Sequence, residues 1–263
     1  MHPSNPTPRT LRVRYVGGPT AVLEIGGLRL LTDPTFDPPG EYPIGTRTLT
    51  KTAHPALAPD ALGAVDSVLL SHDQHPDNLD RLGRAFLARV PCVVSTASAH
   101  ARLGGSVHTL PNWQHLDLPR ADGGVLRVTG VPAQHGPDGS EHLVGEVTGF
   151  VLSGAGLPTV YVSGDNASLG IVRAIAGRLG AVDVAVLFAG GARTALLGDA
   201  YLTLTSALAA EAARILGARQ VVPLHFEGWA HVTEGREALV EAFQHAGLAE
   251  RLHLPGTSEP LDL

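Results

Sequence analysis

The run Ser71-His72-Asp73-Gln74-His75-Pro76-Asp77-Asn78-Leu79-Asp80 lies between an apolar segment, Val65-Asp66-Ser67-Val68-Leu69-Leu70, and a predicted helix from about Leu79 to Arg89. The apolar segment reads as a buried strand, so the run between is a strand-to-helix loop. It concentrates two imidazoles and several carboxylates. Neutral imidazole nitrogens and carboxylate oxygens are the ligands that a Zn²⁺-like ion takes. A loop leaving a strand end can aim several of them at one point, which surface solvation does not require.

Working outward, four other apolar runs end in a side chain of the same kind. Leu30-Leu31-Thr32 leads to Asp33, Val131-Pro132-Ala133-Gln134 to His135, Val160-Tyr161-Val162-Ser163-Gly164 to Asp165, and Val221-Val222-Pro223-Leu224 to His225. Singly, each has an ordinary explanation as a packed histidine or a turn aspartate. Their recurrence favours one shared site.

The remaining pattern supplies a frame for that site. Leu11 to Val16, Ala21 to Ile25 and Leu28 to Thr32 read as strands, the last two joined at Gly26-Gly27 as a hairpin. Gly149 to Ser153 and Thr159 to Val162 form another hairpin around Gly154-Ala155-Gly156. Helices are predicted over Ala97 to Leu103, Ser168 to Leu179, Ser206 to Leu216 and Thr233 to Ala246, with Thr205 as an N-cap and Gly217 beyond a C-terminus. Val182 to Phe188 reads as a further strand. Residues 38–59 show no clear periodicity and are expected as a long loop flanking the site. Val68, Leu69, Leu70, Val160, Val162, Val184, Val186, Val221 and Val222 should be buried. Strands early, then strands alternating with helices, imply sheets covered by helices in one domain over residues 11–263. Residues 1–10 are expected as a disordered tail, with no apolar signal region.

Composition narrows the function classes. The 263 residues carry a formal net charge of −6, and Lys51 is the only lysine among 19 basic residues. No basic stripe is available for nucleic acid, so a nuclease is disfavoured. Cys92 is the only cysteine, which excludes an internal disulfide and a thiolate metal cage. No apolar run reaches the roughly 20 residues of a transmembrane segment. A cytoplasmic protein acting on a small-molecule substrate is expected, and a homo-oligomer is compatible with the composition.

These motifs, in this order, resemble the metallo-β-lactamase fold hydrolases. Leu31-Thr32-Asp33-Pro34, Ser71-His72-Asp73, His135-Gly136, Ser163-Gly164-Asp165 and Pro223-Leu224-His225 are most similar to the branch containing ascorbate-6-phosphate lactonase and N-acylphosphatidylethanolamine phospholipase D. The resemblance implies an α/β (α+β) fold, a four-layer αββα sandwich, with one or two metal ions where the loops converge. Carried over by position, His72, His75 and His135 hold the first metal, Asp165 bridges, and Asp77 with His225 holds the second. Asp33 braces the site.

The chain departs from the family's His-x-His-x-Asp-His loop at two places. One extra residue separates His72 from His75, which leaves Gln74 where the second histidine normally stands; His75 is favoured because imidazole is the better zinc ligand. Asn78 replaces the final histidine, and its carbonyl oxygen suits a harder ion. Asn78, Gln74, Asp33 and Asp73 are therefore all carried as metal or supporting residues. The expected cofactor is Zn²⁺, with Mn²⁺ an option at a weaker second site. The implied activity is a metal-dependent hydrolase, lactonase or phosphodiesterase in type, whose metal-bound hydroxide attacks a small ester, lactone or phosphodiester. Asp77 or Asp165 is the expected catalytic proton acceptor, and Phe36, Tyr42, Arg193 and Trp229 are expected to bind substrate. His142 and His231 lie near ligand loops and are read as surface histidines with the option of donating a proton. Two rivals remain: a non-hydrolytic member with a degenerate metal site, and an iron-dependent oxidoreductase on the same fold.

Overall fold

The structure, a computed structural model, describes residues 10–263; the expected tail, but for Thr10, lies outside the described residues. The chain begins with β1 (Leu11–Gly17), β2 (Thr20–Ile25) and β3 (Leu28–Thr32), then a separate pair, β4 (Gly40–Ile44) and β5 (Arg47–Lys51). It continues through β6 (Ser67–Leu69), α1 (Arg81–Leu87), β7 (Val93–Ser95), α2 (Ala97–Leu103) and β8 (Val107–Thr109). Next come β9 (His115–Pro119), β10 (Val125–Pro132), α3 (Glu141–Val144), β11 (Thr148–Ser153) and β12 (Val160–Val162). The last part runs α4 (Leu169–Leu179), β13 (Val184–Phe188), α5 (Ser206–Ile215), β14 (Gln220–Leu224), α6 (Arg236–His245) and β15 (Leu261–Asp262).

Among the described residues, one sheet has the order β15-β1-β2-β3-β6-β7-β8 and the other β14-β13-β12-β11-β10-β9. Side chains on a strand alternate between faces, and the packing follows that period. On β13, Val184, Val186 and Phe188 enter the core between the sheets, where they meet Leu23, Leu30 and Leu69 of the first sheet. The intervening Ala185 and Leu187 face outward onto Ile175 of α4, Ala209 of α5 and Phe243 of α6. On the opposite side Leu31, Val68 and Leu70 pack under Phe86 and Leu87 of α1. The result is the expected four-layer αββα sandwich, and all nine residues expected in the core are buried. The predicted caps are in place: Thr205 Oγ1 accepts from Leu208 N, and Gly217 has φ 59°. Cys92 is half-buried. No helix among the described residues is long and apolar enough to cross a membrane.

Topology gathers the loops at one edge. Strands β3, β6 and β7 are mutually parallel, so the loops after β3 and β6 leave the same end of the first sheet. In the second sheet β12, β13 and β14 are parallel, and β10 shares their direction because both it and β12 run antiparallel to β11. Thr148 N donates to Ser71 O at 3.1 Å, joining the two sheets at this edge. Gly164 lies at that junction with φ 56°, and a Cβ there would meet Thr148 O at 2.6 Å and Ser71 Cβ at 2.8 Å. Only glycine lets the chain turn there and deliver Asp165.

Residues 38–59 are not a plain loop. They contain the hairpin β4–β5, turned at Gly45-Thr46 with Ile44 opposite Arg47. Its strands belong to neither large sheet, and Tyr42, Ile44 and Leu49 are too few apolar side chains on its half-buried face to reveal a strand, with Pro43 within β4 weakening the signal further. The hairpin is tied down at its base, where Thr52 N donates to Gly228 O and Ala230 N donates to Thr50 O.

Candidate metal centre

The loops converge into two adjoining clusters, His72, His75, His135 and Asp165 in one, Asp77, His225 and His231 in the other. In the first, His72 Nε2 is 2.9 Å and His135 Nε2 is 3.3 Å from His75 Nδ1. Four ligands held about 2.0–2.1 Å from one tetrahedral ion stand about 3.3 Å apart. Three imidazole edges crowded at that spacing match a shared ion.

The tautomers agree. His135 Nδ1 is 2.9 Å from Leu202 O, which can only accept, so Nδ1 carries the proton and Nε2 presents its lone pair. Ser71 Oγ lies 2.6 Å from Asp33 Oδ2 and 2.9 Å from His72 Nδ1. The hydroxyl donates to the carboxylate and accepts from His72 Nδ1–H, again leaving Nε2 free. Asp33 thus fixes His72 through Ser71, and its second oxygen accepts from Ser71 N at 2.6 Å. Removing such an outer partner typically weakens metal affinity by about 10–100-fold. Ser71→Ala is expected to show a loss of that size in competition with a chelator, together with a stability loss of about 1–3 kcal/mol from the buried His72 Nδ1–H left without a partner.

In the second cluster, Asp77 Oδ2 is 3.2 Å from His225 Nε2 and 3.0 Å from His231 Nε2. Yet His225 Nε2 has no hydrogen-bond partner of acceptable geometry, and His225 Nδ1 and Asp77 Oδ1 are also buried without partners. Asp165 stands between the clusters, its Oδ2 3.7 Å from His135 Nδ1 and its Oδ1 3.7 Å from His225 Nε2. Buried polar atoms are nearly always satisfied. Orphaned nitrogens and carboxylate oxygens aimed at common points fit cations. His225 itself has φ 56° and Asp33 φ 23°, left-handed conformations for residues with side chains, of the kind that cluster at functional sites.

The electrostatics point the same way. Burial, then the charges of His75 and His135, drives His72 well below the usual imidazole range. Burial and His75 push His135 down to about 3. His75 is lowered by burial, with Arg47 adding to it against the attraction of Asp77. All three imidazoles are therefore neutral and able to ligate at ordinary pH. Burial raises Asp165 well above the carboxylate range, reinforced by the charges of Asp77 and Asp33. Burial likewise pushes Asp33 up to about 7, against the hydrogen bonds from Ser71 and Asn78. Burial works on Asp77 too, but His231 and His225 outweigh it and hold this carboxyl well below its ordinary value.

Several expected site residues lie elsewhere. Gln74 turns away from the cluster towards Gly145, so His75 occupies the position at issue. Asp73 is paired with Arg102, whose Nε is 2.9 Å from its Oδ2. Asn78 Nδ2 donates to Asp33 Oδ2 at 3.0 Å and Asp165 Oδ1 at 3.3 Å, so its amide ties carboxylates together. Phe36 is buried against Phe86, 5.5 Å between ring centroids, and lines no cavity at the site. Tyr42 borders a separate groove with Pro76 and Leu79. Trp229 is buried between Tyr42 and His231, a support for His231 rather than a wall of the cavity. His142 is exposed, as read from sequence, whereas His231 is not: it joins Asp77 and His225. Arg193 does reach the site, lining a narrow cavity with His75, Asp77 and His231. Arg47, not singled out from sequence, lines it too.

Comparison with known proteins places this architecture. The model of the beta-lactamase superfamily domain matches residues 28–226, more than half of the chain. A relative from Pelotomaculum thermopropionicum, a UPF0173 metal-dependent hydrolase, is 31% identical over 74% of this chain and 82% of its own. Another of that name, from Opitutus terrae, is 28% identical over 94% of this chain and 98% of its own. Among solved structures, the isothiocyanate hydrolase from Delia radicum gut bacteria superposes with a TM-score of 0.78 at 20% identity, covering 95% of this chain and 98% of that one. At that identity the likeness is one of fold.

Proposed function

Since this chain belongs to the UPF0173 metal-dependent hydrolase family within the beta-lactamase superfamily, we propose that it is a metal-dependent hydrolase acting on a small ester, lactone or phosphodiester. The observation that carries the reading is the pair of clusters sharing Asp165, with buried imidazole nitrogens and a carboxylate oxygen unsatisfied at their centre. His72, His75 and His135 would hold one cation, Asp77, His225 and His231 the other, with Asp165 reaching both. His231 supplies the imidazole that Asn78 does not, so the second site is nitrogen-rich and suited to zinc as well as to manganese. Cations held there supply acidified water and polarise the oxygen of the group under attack.

The remaining work falls to the protein. The proton lost by the attacking water goes to Asp165 or Asp77, the two carboxylates that reach the space between the clusters. Asp33 and Ser71 keep His72 in one tautomer, and Leu202 O does the same for His135. The hairpin excludes bulk water: the cavity beneath Ile44 and Leu49 has a volume of about 20 Å³, room for about one water. Hydrolysis of p-nitrophenyl esters, homoserine lactones and bis(p-nitrophenyl) phosphate by protein carrying zinc or manganese tests the reading. Turnover of at least one class, abolished by EDTA and restored by metal, is expected. Full metal loading with no turnover of any of the three would contradict it.

A further inference from the structure

Two guanidinium groups border the cavity, and neither is paired with a buried carboxylate. Arg47 comes from the hairpin, and its Nη1 donates to the neutral Thr194 Oγ1 across the cavity at 2.6 Å. Arg193 comes from the loop after β13, its guanidinium stacked 4.3 Å over the Tyr201 ring. Its Nε is buried without a partner, and its nearest carboxylate is Asp199, 3.8 Å away on a side chain open to solvent. Among the described residues Arg47 makes no ion pair.

Both side chains are held in place yet under-used. A stacked guanidinium presents its edge as a fork, which suits a planar carboxylate bidentately. Closing the hairpin over a neutral substrate would leave Arg47 without an ion pair and the buried Nε of Arg193 without a partner, an unfavourable arrangement. A carboxylate offsets it. A phosphate in the same part of the substrate would instead be drawn onto the cations and block them. The apolar Ile44 and Leu49 line the space between this end and the clusters. We propose that the substrate carries, besides the bond that is hydrolysed, a carboxylate gripped by Arg47 and Arg193, and that these two residues set specificity.

The proposal rests on the hydrolase reading for what is done to the substrate, but not for what binds. Because the cavity is too small for such a molecule with the hairpin down, Arg47 must leave Thr194 and take the carboxylate in its place. The anion then holds the hairpin shut.

Two measurements on the metal-containing protein, with Arg47→Gln and Arg193→Gln, separate the two readings. The first compares mono-p-nitrophenyl succinate with p-nitrophenyl butyrate, esters of similar size differing in the distal carboxylate. The second measures pentanoate binding by calorimetry, with pentanamide as the neutral control. The succinate ester is expected to have kcat/KM at least about tenfold above the butyrate ester, each substitution costing it about 10–100-fold, mainly in KM. The butyrate ester should change less than about threefold, a margin below the effect of a charged hydrogen bond. Pentanoate should bind more tightly than pentanamide and lose that advantage in both variants. If neither ester turns over while the carboxylate advantage depends on both arginines, ester hydrolysis fails as the reaction and the carboxylate site stands. If selectivity and binding are the same in wild type and variants, or pentanoate binds no better than pentanamide, the carboxylate site is overturned.

Discussion

Asp165→Asn is expected to leave a folded protein that has lost its metals and its activity. The substitution keeps volume and shape but removes the charge from the one side chain that faces both clusters. Its kcat should fall by about 10³-fold or more, roughly 4 kcal/mol at 1.36 kcal/mol per tenfold. The fold should not suffer, because burial and the neighbouring Asp77 and Asp33 already disfavour a charge at this position. A carboxyl whose folded pKa lies above its unfolded value contributes stability below the unfolded value. That contribution is lost as pH rises towards the folded value. Relative to the Asn variant, the Asp165 carboxyl should therefore cost metal-free wild type stability as pH rises above about 4. The Asn variant should lose less and at neutral pH be at least as stable. Urea unfolding of both proteins in EDTA across that range, with elemental analysis beside it, checks the two halves separately. A variant that keeps two metals, or unfolds much more easily when both are stripped, would contradict the role assigned to Asp165.

Gly83→Ala is expected to give the largest loss of stability. Gly83 is buried in α1, where its N donates to Asp80 Oδ1 at 2.8 Å. Alanine is the better helix former by about 1 kcal/mol. A Cβ at this position, however, would lie 1.8 Å from Pro34 O and 2.8 Å from Pro34 C. The obstacle is backbone, so no rotamer change relieves it and the helix must move off the segment. Overpacking of this kind costs about 1–3 kcal/mol and occasionally more; with so short a contact the upper end applies and outweighs the propensity gain. A net loss of about 3 kcal/mol implies a Tm lower by roughly 6–12 °C, at 2–4 °C per kcal/mol for chains near this size. Pro34 follows Asp33, so the displacement should reach the Asp33–Ser71–His72 chain and weaken metal binding as well. A Tm within 2 °C of wild type would mean that α1 and the Pro34 segment are not packed as described.

The parts of the site that were legible in the sequence are those delivered by apolar strands. Asp33, His72, His135, Asp165 and His225 each follow a buried apolar run whose end marks where the loop starts, and the structure gathers all five at one sheet edge. His75 over Gln74 followed from ligand chemistry, and the packing of Gln74 on Gly145 agrees. What was not legible depends on contacts far apart in sequence. His231 comes seven residues after β14 on an irregular segment. Its place depends on the left-handed turn at His225 and on the pairing of Lys51 with Trp229, neither of which has a local signature. The hairpin that carries Arg47 has few apolar side chains, Tyr42, Ile44 and Leu49 on its half-buried face, so its periodicity is too weak to mark it. Phe36 and Asp73 were misplaced for a related reason: a loop position does not reveal whether a side chain turns to the site or away. Phe86 and Arg102, from α1 and α2, turn them away. Asn78 alone points to a weaker second site, whereas in the structure His231 also stands beside Asp77.

The central claim is that two cations share Asp165, one on three histidines and the other on Asp77, His225 and His231. Elemental analysis of protein purified without added metal or chelator, followed by zinc titration to saturation, tests it most directly when repeated on His231→Ala and His135→Ala. Wild type should reach two equivalents per chain, and each variant should retain one, in the cluster it leaves intact. Two equivalents in His231→Ala would remove that residue from the second site. No uptake by the wild-type chain would contradict the metal centre altogether.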